Sequence, residues 1–180
     1  SGWISLNQHS TISEDDFLKC REPKYINISL VDYLYDSGGN IYAIPFGCWL
    51  PNFDASNKSL LINNKKYILN GQFIEVGNID LNMVKCIYLN SPYLWGGRSP
   101  FGIDCSGLSQ MIYKVMGIKI LRDADQQVLY GTDISIKDYK EWDLAFFTNE
   151  EGKVVHVGIM LKDGLILHSS GKVRIDIIDE

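Results

Sequence analysis

One stretch decides the fold: residues 93–107, with the sequence YLWGGRSPFGIDCSG. It begins as a loop of glycines, aromatic residues and a proline, and its character changes at residue 108. Apolar residues then recur at the i, i+3, i+4, i+7 and i+8 spacing of an amphipathic helix: Leu108, Met111, Ile112, Val115 and Met116. Gly117 supplies a helix stop. Cys105 therefore lies at or just before a helix N-terminus, where unpaired N–H groups and the helix dipole stabilise a thiolate, and we predict that it is a nucleophile.

Composition and charge exclude several classes of protein. The chain has 180 residues, of which 46% are hydrophobic and 22% charged, as in an ordinary globular protein. Its net charge of −5 argues against nucleic-acid binding, which needs a basic face. No apolar run approaches the roughly 20 residues of a membrane span. The four cysteines are widely and irregularly spaced, so they predict neither a disulfide framework nor a zinc site.

Residues 1–77 have the pattern of short strands. A strand at 3–5 and a helix from Ser13 to Cys20 are predicted first. Two hairpins follow, one with strands at 31–35 and 41–44 and one with strands at 60–62 and 67–69. Strands this short and this closely spaced predict a small β-barrel.

Residues 78–180 combine helices with a later run of strands. Asp80 is a candidate cap for a helix running to about residue 90, and a short helix is predicted over 123–130. Strands are predicted at 143–148, 154–161, 165–168 and 173–178. Helices followed by an antiparallel sheet define an α+β unit.

Two of the three histidines, His156 and His168, lie on neighbouring predicted strands. If residues 163–164 form a two-residue loop, the histidines lie on opposite faces of the sheet. If residues 162–164 form a three-residue loop with Gly164 left-handed, His168 lies opposite Gly158 and shares a face with His156. The length of this turn therefore decides whether the two side chains cooperate.

The apolar pattern favours the three-residue loop, because a slip of one residue would mix apolar and polar side chains on each face. In this register one face carries Val155, Val157, Ile159, Leu161, Leu165 and Leu167. The other, predicted to be the non-core face, carries His156, Gly158, Met160, Ile166 and His168. A cysteine nucleophile needs a base and a polar group that orients the base. Cys105 and these two histidines are therefore candidate catalytic residues.

Other residues near the cysteine have two possible roles. Tyr93, Trp95 and Phe101 either cover a core or form the walls of a pocket. Asp104 is at least a helix cap, a role that it could combine with ligand binding. His9 has no comparable neighbours and is predicted to be a surface residue.

Six sequence blocks resemble the NlpC-type cell-wall cysteine peptidases, which have a papain-like fold. The blocks are YLWGG at 93–97, DCSGL at 104–108, RDADQQ at 122–127, DLAFF at 143–147, HVGI at 156–159 and ILH at 166–168. The resemblance covers residues from about 80 to 178. It implies that Cys105 is the nucleophile, that His156 is the base and that His168 orients it. It also places Tyr93 near the oxyanion and the substrate, with Trp95 in the substrate site.

The resemblance further implies a substrate and a domain arrangement. Members of this family hydrolyse the bond between γ-D-glutamate and a diamino acid in peptidoglycan peptides, with no metal or other cofactor. Residues 1–77 resemble a bacterial SH3-like barrel, and residues 78–180 the peptidase domain. In the members with such a barrel, it closes one end of the groove and the enzyme requires the free amino terminus of L-Ala-γ-D-Glu. Asp104 and Ser106 match residues that hold that terminus.

The resemblance leaves other functions possible, and two positions depart from the family pattern. The same fold would also suit a murein endopeptidase, an amidase or an acyltransferase without the amino-terminus requirement, or a catalytically silent wall-binding module. Leu121 and Trp142 stand where the family usually has proline and glycine.

We expect the cell envelope as the location, or the cytoplasm if the protein recycles murein peptides. The end at Glu180 is earlier than the family pattern suggests, so the chain is expected to be a fragment if a strand or an upstream barrel is missing.

Overall fold

A computed structural model describes residues 11–20 and 23–178. The first part of the chain contains α1 (Glu14–Cys20), β1 (Tyr25–Asn27), β2 (Val31–Asp36), β3 (Ile41–Pro45), β4 (Trp49–Leu50), β5 (Phe53–Asp54), β6 (Ser59–Ile62), β7 (Lys65–Asn70) and β8 (Phe73–Glu75). The second part contains α2 (Leu81–Tyr88), β9 (Arg98–Ser99), β10 (Gly102–Ile103), α3 (Cys105–Val115), α4 (Ala124–Gln127), β11 (Leu144–Thr148), β12 (Val154–Met160), β13 (Leu165–Ser170) and β14 (Lys172–Ile177). The predicted strand at 3–5 and His9 lie outside the described residues.

Two helices begin at the predicted capping residues. At α1, the Asp16 N–H donates to Ser13 Oγ at 3.1 Å. At α2, the Asn82 N–H donates to Asp80 Oδ1 at 2.9 Å. Each bond satisfies one of the N–H groups that have no partner within a helix's first turn, so both predicted helix starts are confirmed.

The first part of the chain forms two antiparallel sheets. One has the strand order β3-β2-β7-β6-β5, and the other has the order β4-β1-β8. Both predicted hairpins are present, and the second turns on Asn63 and Asn64, which have φ angles of 50° and 59°. Two positive φ angles suit the right-handed twist of the flanking strands, and asparagine tolerates them well. A buried apolar cluster lies among these strands, formed by Leu34, Leu50, Leu60 and Leu69.

The second part is an α+β arrangement, as predicted. Its sheet is antiparallel, with the strand order β11-β12-β13-β14. Helix α3 contacts β12 and β13. Its buried apolar stripe includes Leu108, Ile112 and Val115, which share a core with Ile159 and Leu167 of the sheet. The helix that begins at Cys105 is thus fixed on the strands that carry the histidines.

The same core extends into the first part of the chain. Ile26 and Phe46 belong to the buried cluster formed by the helices and sheet of the second part. The rings of Phe46 and Tyr88 meet edge to face, with centroids 5.7 Å apart. The ammonium group of Lys114 on α3 lies 4.4 Å from the ring centroid of Trp49. The two parts are therefore packed against each other through apolar and cation–π contacts.

The turn between β12 and β13 confirms the predicted register. Residues Lys162–Gly164 form a short 3₁₀ turn in which Gly164 has a φ of 71°. Gly158 pairs with His168, so the two histidines lie diagonally on one face. The prediction that this is the non-core face is wrong for its turn end, because Met160 and Ile166 are only 1% and 3% exposed.

Val155 lies on the predicted apolar face, but it is 54% exposed, so the prediction is wrong at this position. The pairing of β12 with β13 covers Gly158 to Met160 only, so Val155 lies beyond the end of the partner strand. The pairing of β12 with β11 is irregular between Phe147 and Thr148, next to the same position. Alternation along a strand predicts burial only where neighbours cover the strand on both sides.

Trp142 occupies a backbone conformation that favours glycine. Its φ is 80°, in the left-handed region, which accounts for the glycine usual there in the family that the sequence resembles. Its N–H donates to the Met160 carbonyl at 2.7 Å, and its carbonyl accepts from the Tyr113 hydroxyl at 3.0 Å. These bonds, with packing of the ring against the core, hold the strained residue at the entry to β11.

Three further observations concern the described part of the chain. All four cysteines lie in it, and each is a free thiol. Over residues 11–20 and 23–178, no cluster of acidic, histidine and cysteine side chains has an arrangement suited to a metal ion. None of the helices that the structure describes is long and apolar enough to cross a membrane.

Candidate active site

Cys105 is the first residue of α3, and the loop before it is packed backbone against backbone. A Cβ atom at Gly97 would overlap the carbonyl of Gly102, and one at Gly107 would overlap the carbonyl of Gly97. The Asp104 N–H also donates to Gly97 O at 3.4 Å. The glycines thus allow the loop to lie directly on the helix start, which holds the partly buried Cys105 in one position.

Asp104 caps α3 and is the centre of a polar cluster. Its side chain accepts the Gly107 N–H at 2.6 Å and the Gly96 N–H at 2.7 Å. The Arg122 guanidinium pairs with both carboxylate oxygens, at 3.0 and 2.6 Å, and also donates to Ser106 Oγ at 2.8 Å. Burial alone raises the pKa of the Asp104 carboxyl, but the hydrogen bonds from Arg122, Gly107 and Gly96 outweigh burial and hold that pKa below its ordinary value.

The segment that carries Arg122 is tied to α3 by a buried glutamine. Gln127 Nε2 donates to the carbonyls of Ser106 and Leu121, at 3.0 and 2.9 Å. Its Oε1 accepts from Ser109 Oγ at 2.7 Å. These bonds set the distance between Arg122 and the start of α3, so the geometry of the Asp104 cluster does not depend on the ion pair alone.

The two histidines form a direct hydrogen bond. His156 Nε2 lies 2.8 Å from His168 Nδ1, with the ring planes at 77°. Burial, and then the charges of His168 and Arg174, lower the pKa of His156. His156 is therefore neutral at neutral pH, and its Nδ1 is the nitrogen not engaged by His168. A neutral imidazole with one free nitrogen has the form required of a general base.

Gly158 leaves space for the Ile166 side chain beside the two histidines. A Cβ atom there would overlap Ile166 Cδ1 and lie 3.2 Å from His168 Cβ. We expect Gly158→Ala to displace the Ile166 side chain and crowd His168, to lower the free energy of unfolding by about 1–3 kcal/mol and to lower the catalytic activity that depends on the histidine pair about 10- to 100-fold. Urea denaturation and initial rates measure the two effects.

Gly131→Ala is the matched control for that substitution. Gly131 has a φ of −84° and no heavy atom within 4 Å of an added Cβ, so alanine fits there without strain. Equal activity of the two variants would contradict the proposed crowding at Gly158.

Hydrogen bonds to backbone carbonyls bring the cysteine loop to the histidine strands. Ser169 Oγ, next to His168 on β13, donates to the carbonyl of Ile103 at 2.8 Å. The Tyr93 N–H donates to Gly171 O at 3.0 Å. Together with the packing of α3 on β12, these bonds place the start of α3 beside the strands of the histidine pair.

The aromatic residues of the loop are not part of the core. Tyr93, Trp95 and Phe101 are 37%, 86% and 58% exposed, so of the two roles considered, that of covering a core is wrong. Burial, and then the charges of a Cys105 thiolate and of Asp104, raise the pKa of the Tyr93 hydroxyl, which remains a hydrogen-bond donor at neutral pH. The ring of Trp95 is largely exposed, and its place in a substrate site stays a prediction.

A fourth polar residue continues the histidine chain and was missed in the sequence. His168 Nε2 lies 2.9 Å from Asp176 Oδ2, and Arg174 Nε lies 2.8 Å from the same oxygen. The sequence signal for this residue was Gly171, which has a φ of 69° and forms the tight turn between β13 and β14. In the register that this turn sets, His168 lies opposite Arg174. With that turn recognised, alternation places Asp176 on the histidine face.

The fold and site together define a class of protein. A thiol at a helix start beside a hydrogen-bonded pair of histidines, on helices packed against an antiparallel sheet, is the arrangement of a cysteine peptidase. A family model described as the NlpC/P60 family matches residues 90–180. This chain belongs to the NlpC/P60 family, a family of cysteine peptidases.

Individual relatives agree with this assignment. The chain is 45% identical over 92 residues to a protein of Bacillus subtilis (strain 168) named γ-D-glutamyl-L-lysine dipeptidyl-peptidase, covering 50% of this chain and 31% of that protein. It is 41% identical over 85 residues to a protein of the same name from Bacillus cereus (strain ATCC 10987 / NRS 248), covering 46% of this chain and 26% of that protein. The chain thus spans a third or less of the length of these curated relatives.

A solved structure matches nearly the whole chain. The crystal structure of an NlpC/P60 family protein from Bacillus cereus ATCC 10987 superposes with a TM-score of 0.77 and 28% sequence identity. The match covers 94% of this chain and 63% of that one. The likeness therefore includes the strands before α2 as well as the helices and sheet that follow.

Proposed function

We propose that this chain is a cysteine peptidase that hydrolyses the γ-D-glutamyl–diamino acid bond of peptidoglycan peptides. The observation that carries the proposal is the 2.8 Å contact between His156 Nε2 and His168 Nδ1, beside the helix that begins at Cys105. This contact leaves His156 Nδ1 free to take a proton from the thiol. Cys105, His156 and His168 then serve as nucleophile, base and orienting residue.

The reaction follows from these positions. His156 Nδ1 takes the thiol proton, and the Cys105 thiolate adds to the γ-glutamyl carbonyl carbon. The resulting oxyanion is stabilised by the Cys105 N–H at the helix start and by the Tyr93 hydroxyl. His156 then gives its proton to the leaving amine of the diamino acid as the C–N bond breaks. Water, activated by His156, attacks the thioester, which releases the γ-glutamyl acid and restores the thiol.

We infer the substrate from the relatives and from the polar cluster. Two relatives are named γ-D-glutamyl-L-lysine dipeptidyl-peptidase, a name that implies release of a dipeptide. The Asp104 and Ser106 side chains lie next to Cys105 in sequence, and both are bonded to Arg122. We assign this cluster, with Tyr93 and Trp95, to the recognition of a free amino-terminal L-Ala. A peptide extended at that end would lack the ammonium group that we propose the Asp104 carboxylate and the Ser106 hydroxyl recognise.

The first part of the chain has a role in this proposal. We assign residues 1–77 to an SH3-like barrel that closes one end of the groove, and residues 78–180 to the peptidase domain. Support comes from the antiparallel sheets formed by β1–β8 and from the structural match that covers 94% of the chain. With a wall-derived peptide as substrate, we place the protein in the cell envelope, and a role in peptide recycling would place it in the cytoplasm.

Two peptides that differ only at the amino terminus test the substrate requirement. Incubation with L-Ala-γ-D-Glu-diaminopimelate is expected to release L-Ala-γ-D-Glu, detected by mass spectrometry. The N-acetylated form of the same peptide is expected to be cleaved at least about 100-fold more slowly, because its ammonium group is lost. The Cys105→Ala variant serves as the blank for both reactions.

The alternatives predict other outcomes. Undiminished cleavage of the acetylated peptide would contradict the amino-terminus requirement and indicate an endopeptidase that accepts extended chains. A protein that cleaves neither peptide and whose Cys105 resists alkylation would be a wall-binding module, and the peptidase proposal would be wrong.

A further inference from the structure

We propose that Asp176 is a positioning residue that sets the proton positions on both histidines of the site. Asp176 lies at the far end of a series of two hydrogen bonds. In this series His156 Nε2 lies 2.8 Å from His168 Nδ1, and His168 Nε2 lies 2.9 Å from Asp176 Oδ2. Its catalytic consequence rests on the proposed peptidase function. The proton arrangement itself does not, because it follows from hydrogen-bond chemistry alone.

The carboxylate of Asp176 determines which nitrogen of His168 carries a proton. An ionised aspartate only accepts hydrogen bonds, so the contact with His168 requires a proton on His168 Nε2. Neutral His168 then has no proton on Nδ1, which acts as an acceptor. The 2.8 Å contact with His156 must therefore be donated by His156 Nε2–H. Neutral His156 consequently has an unprotonated Nδ1, the tautomer that is able to take a proton from a thiol.

Without the carboxylate, the opposite arrangement becomes possible. His168 could carry its proton on Nδ1 and donate it to His156 Nε2. Neutral His156 would then carry its own proton on Nδ1 and could not accept another there. Asp176 thus excludes an inactive tautomer pair, although its side chain is two hydrogen bonds away from the free nitrogen of His156.

The charged groups around His168 and Asp176 support the positioning role of Asp176. The groups that face His168 are His156 on β12 and Arg174 and Asp176 on β14. Arg174 Nε lies 2.8 Å from Asp176 Oδ2 and thereby fixes the carboxylate against the sheet. The hydrogen bond from His168, and then the charge of Arg174, lower the pKa of Asp176, so the side chain is an ionised acceptor throughout the neutral range.

Nitrogen-15 NMR of the histidine rings tests the proposal without requiring turnover. The chain contains three histidines, so few signals need assignment. All samples carry Cys105→Ala, so no thiol proton is shared with His156. At neutral pH we expect His156 and His168 both to be Nε2–H tautomers. In Asp176→Ala we expect a proton to appear on Nδ1 of His168 and of His156, and in Asp138→Ala, an exposed control, no change.

Asp176→Glu is the second variant. Its carboxylate can still accept from His168 Nε2–H, so it should keep the tautomers of the parent protein and remain folded if Asp176→Ala does not. In the intact enzyme we expect Asp176→Ala to lower kcat about 10- to 100-fold with little change in KM, and Asp176→Glu to recover most of that loss.

The outcomes separate this inference from the proposed function. Unchanged tautomers in Asp176→Ala, or in Asp176→Glu a shift to Nδ1–H, would overturn the role of Asp176 even if the protein is an active peptidase. The expected tautomers in a protein that cleaves neither test peptide would support the role of Asp176 and contradict the proposed function alone.

Discussion

Cys105→Ala is expected to lower kcat/KM for the proposed γ-D-glutamyl substrate by about 10⁴-fold or more. Alanine has no atom that can attack the carbonyl, and the covalent path through a thioester is lost, which is the usual consequence of removing a nucleophile. The substitution removes one sulfur from a partly buried position, so the fold should persist. Initial rates with the free peptide, at equal concentrations of folded protein, measure the effect.

Cys86→Ala is the control for this prediction. Cys86 is an exposed free thiol on α2, outside the site, and its replacement should leave kcat/KM unchanged. In the Cys86→Ala protein, iodoacetamide at neutral pH is expected to modify Cys105 and to remove activity at the same rate. Activity that survives Cys105→Ala would contradict a thiol nucleophile at this position.

His156→Ala is expected to have the second largest effect, a loss of about 10³-fold in kcat, because the thiol then has no positioned base. The wild-type enzyme should also keep its activity at mildly acidic pH. Burial, and then the charges of His168 and Arg174, lower the pKa of His156 from its ordinary 6.5. A base with a lowered pKa remains unprotonated to lower pH, so the acid limb of kcat/KM should lie below pH 6.5.

The pH dependence of kcat/KM, measured from pH 5 to pH 9, tests whether the acid limb lies below pH 6.5. Circular dichroism at each pH separates loss of catalysis from loss of structure. An acid limb centred above pH 6.5 would show that the environment of His156 favours its charged form, against its burial and the nearby charge of Arg174.

The sequence predicted the histidine pair because two independent signals agreed. Turn chemistry allowed a three-residue loop with Gly164 left-handed, and the segregation of valines, isoleucines and leucines selected the same register. Pairing of Gly158 with His168 confirms it. The helix start at Cys105 was equally clear, because the glycine loop ends where a helical stripe begins.

Burial on the histidine face could not be predicted in the same way. Met160 and Ile166 are buried although they lie on the predicted non-core face, and the side chain of Ile166 occupies the space above Gly158. Alternation assigns residues to faces, but it carries no information on which parts of a face other side chains cover. The exposed position of Val155 has the same origin, since it depends on where the neighbouring strand ends.

The partners of Asp104 and His168 also required the structure. Arg122 is 18 residues from Asp104, and only the packing of the segment around Gln127 brings the guanidinium to the carboxylate. The position of Asp176 depended on the strand register that the tight turn at Gly171 sets. Sequence patterns give local structure and faces, whereas contacts between separate loops depend on tertiary packing.

The most direct test of the central claim is to trap the acyl-enzyme. The protein is mixed with L-Ala-γ-D-Glu-diaminopimelate, quenched in acid during turnover, digested and analysed by mass spectrometry. We expect an L-Ala-γ-D-Glu acyl group on the peptide that contains Cys105, and no such group in His156→Ala quenched at the same early time. Product release without any adduct on Cys105, or with the adduct on another residue, would contradict it.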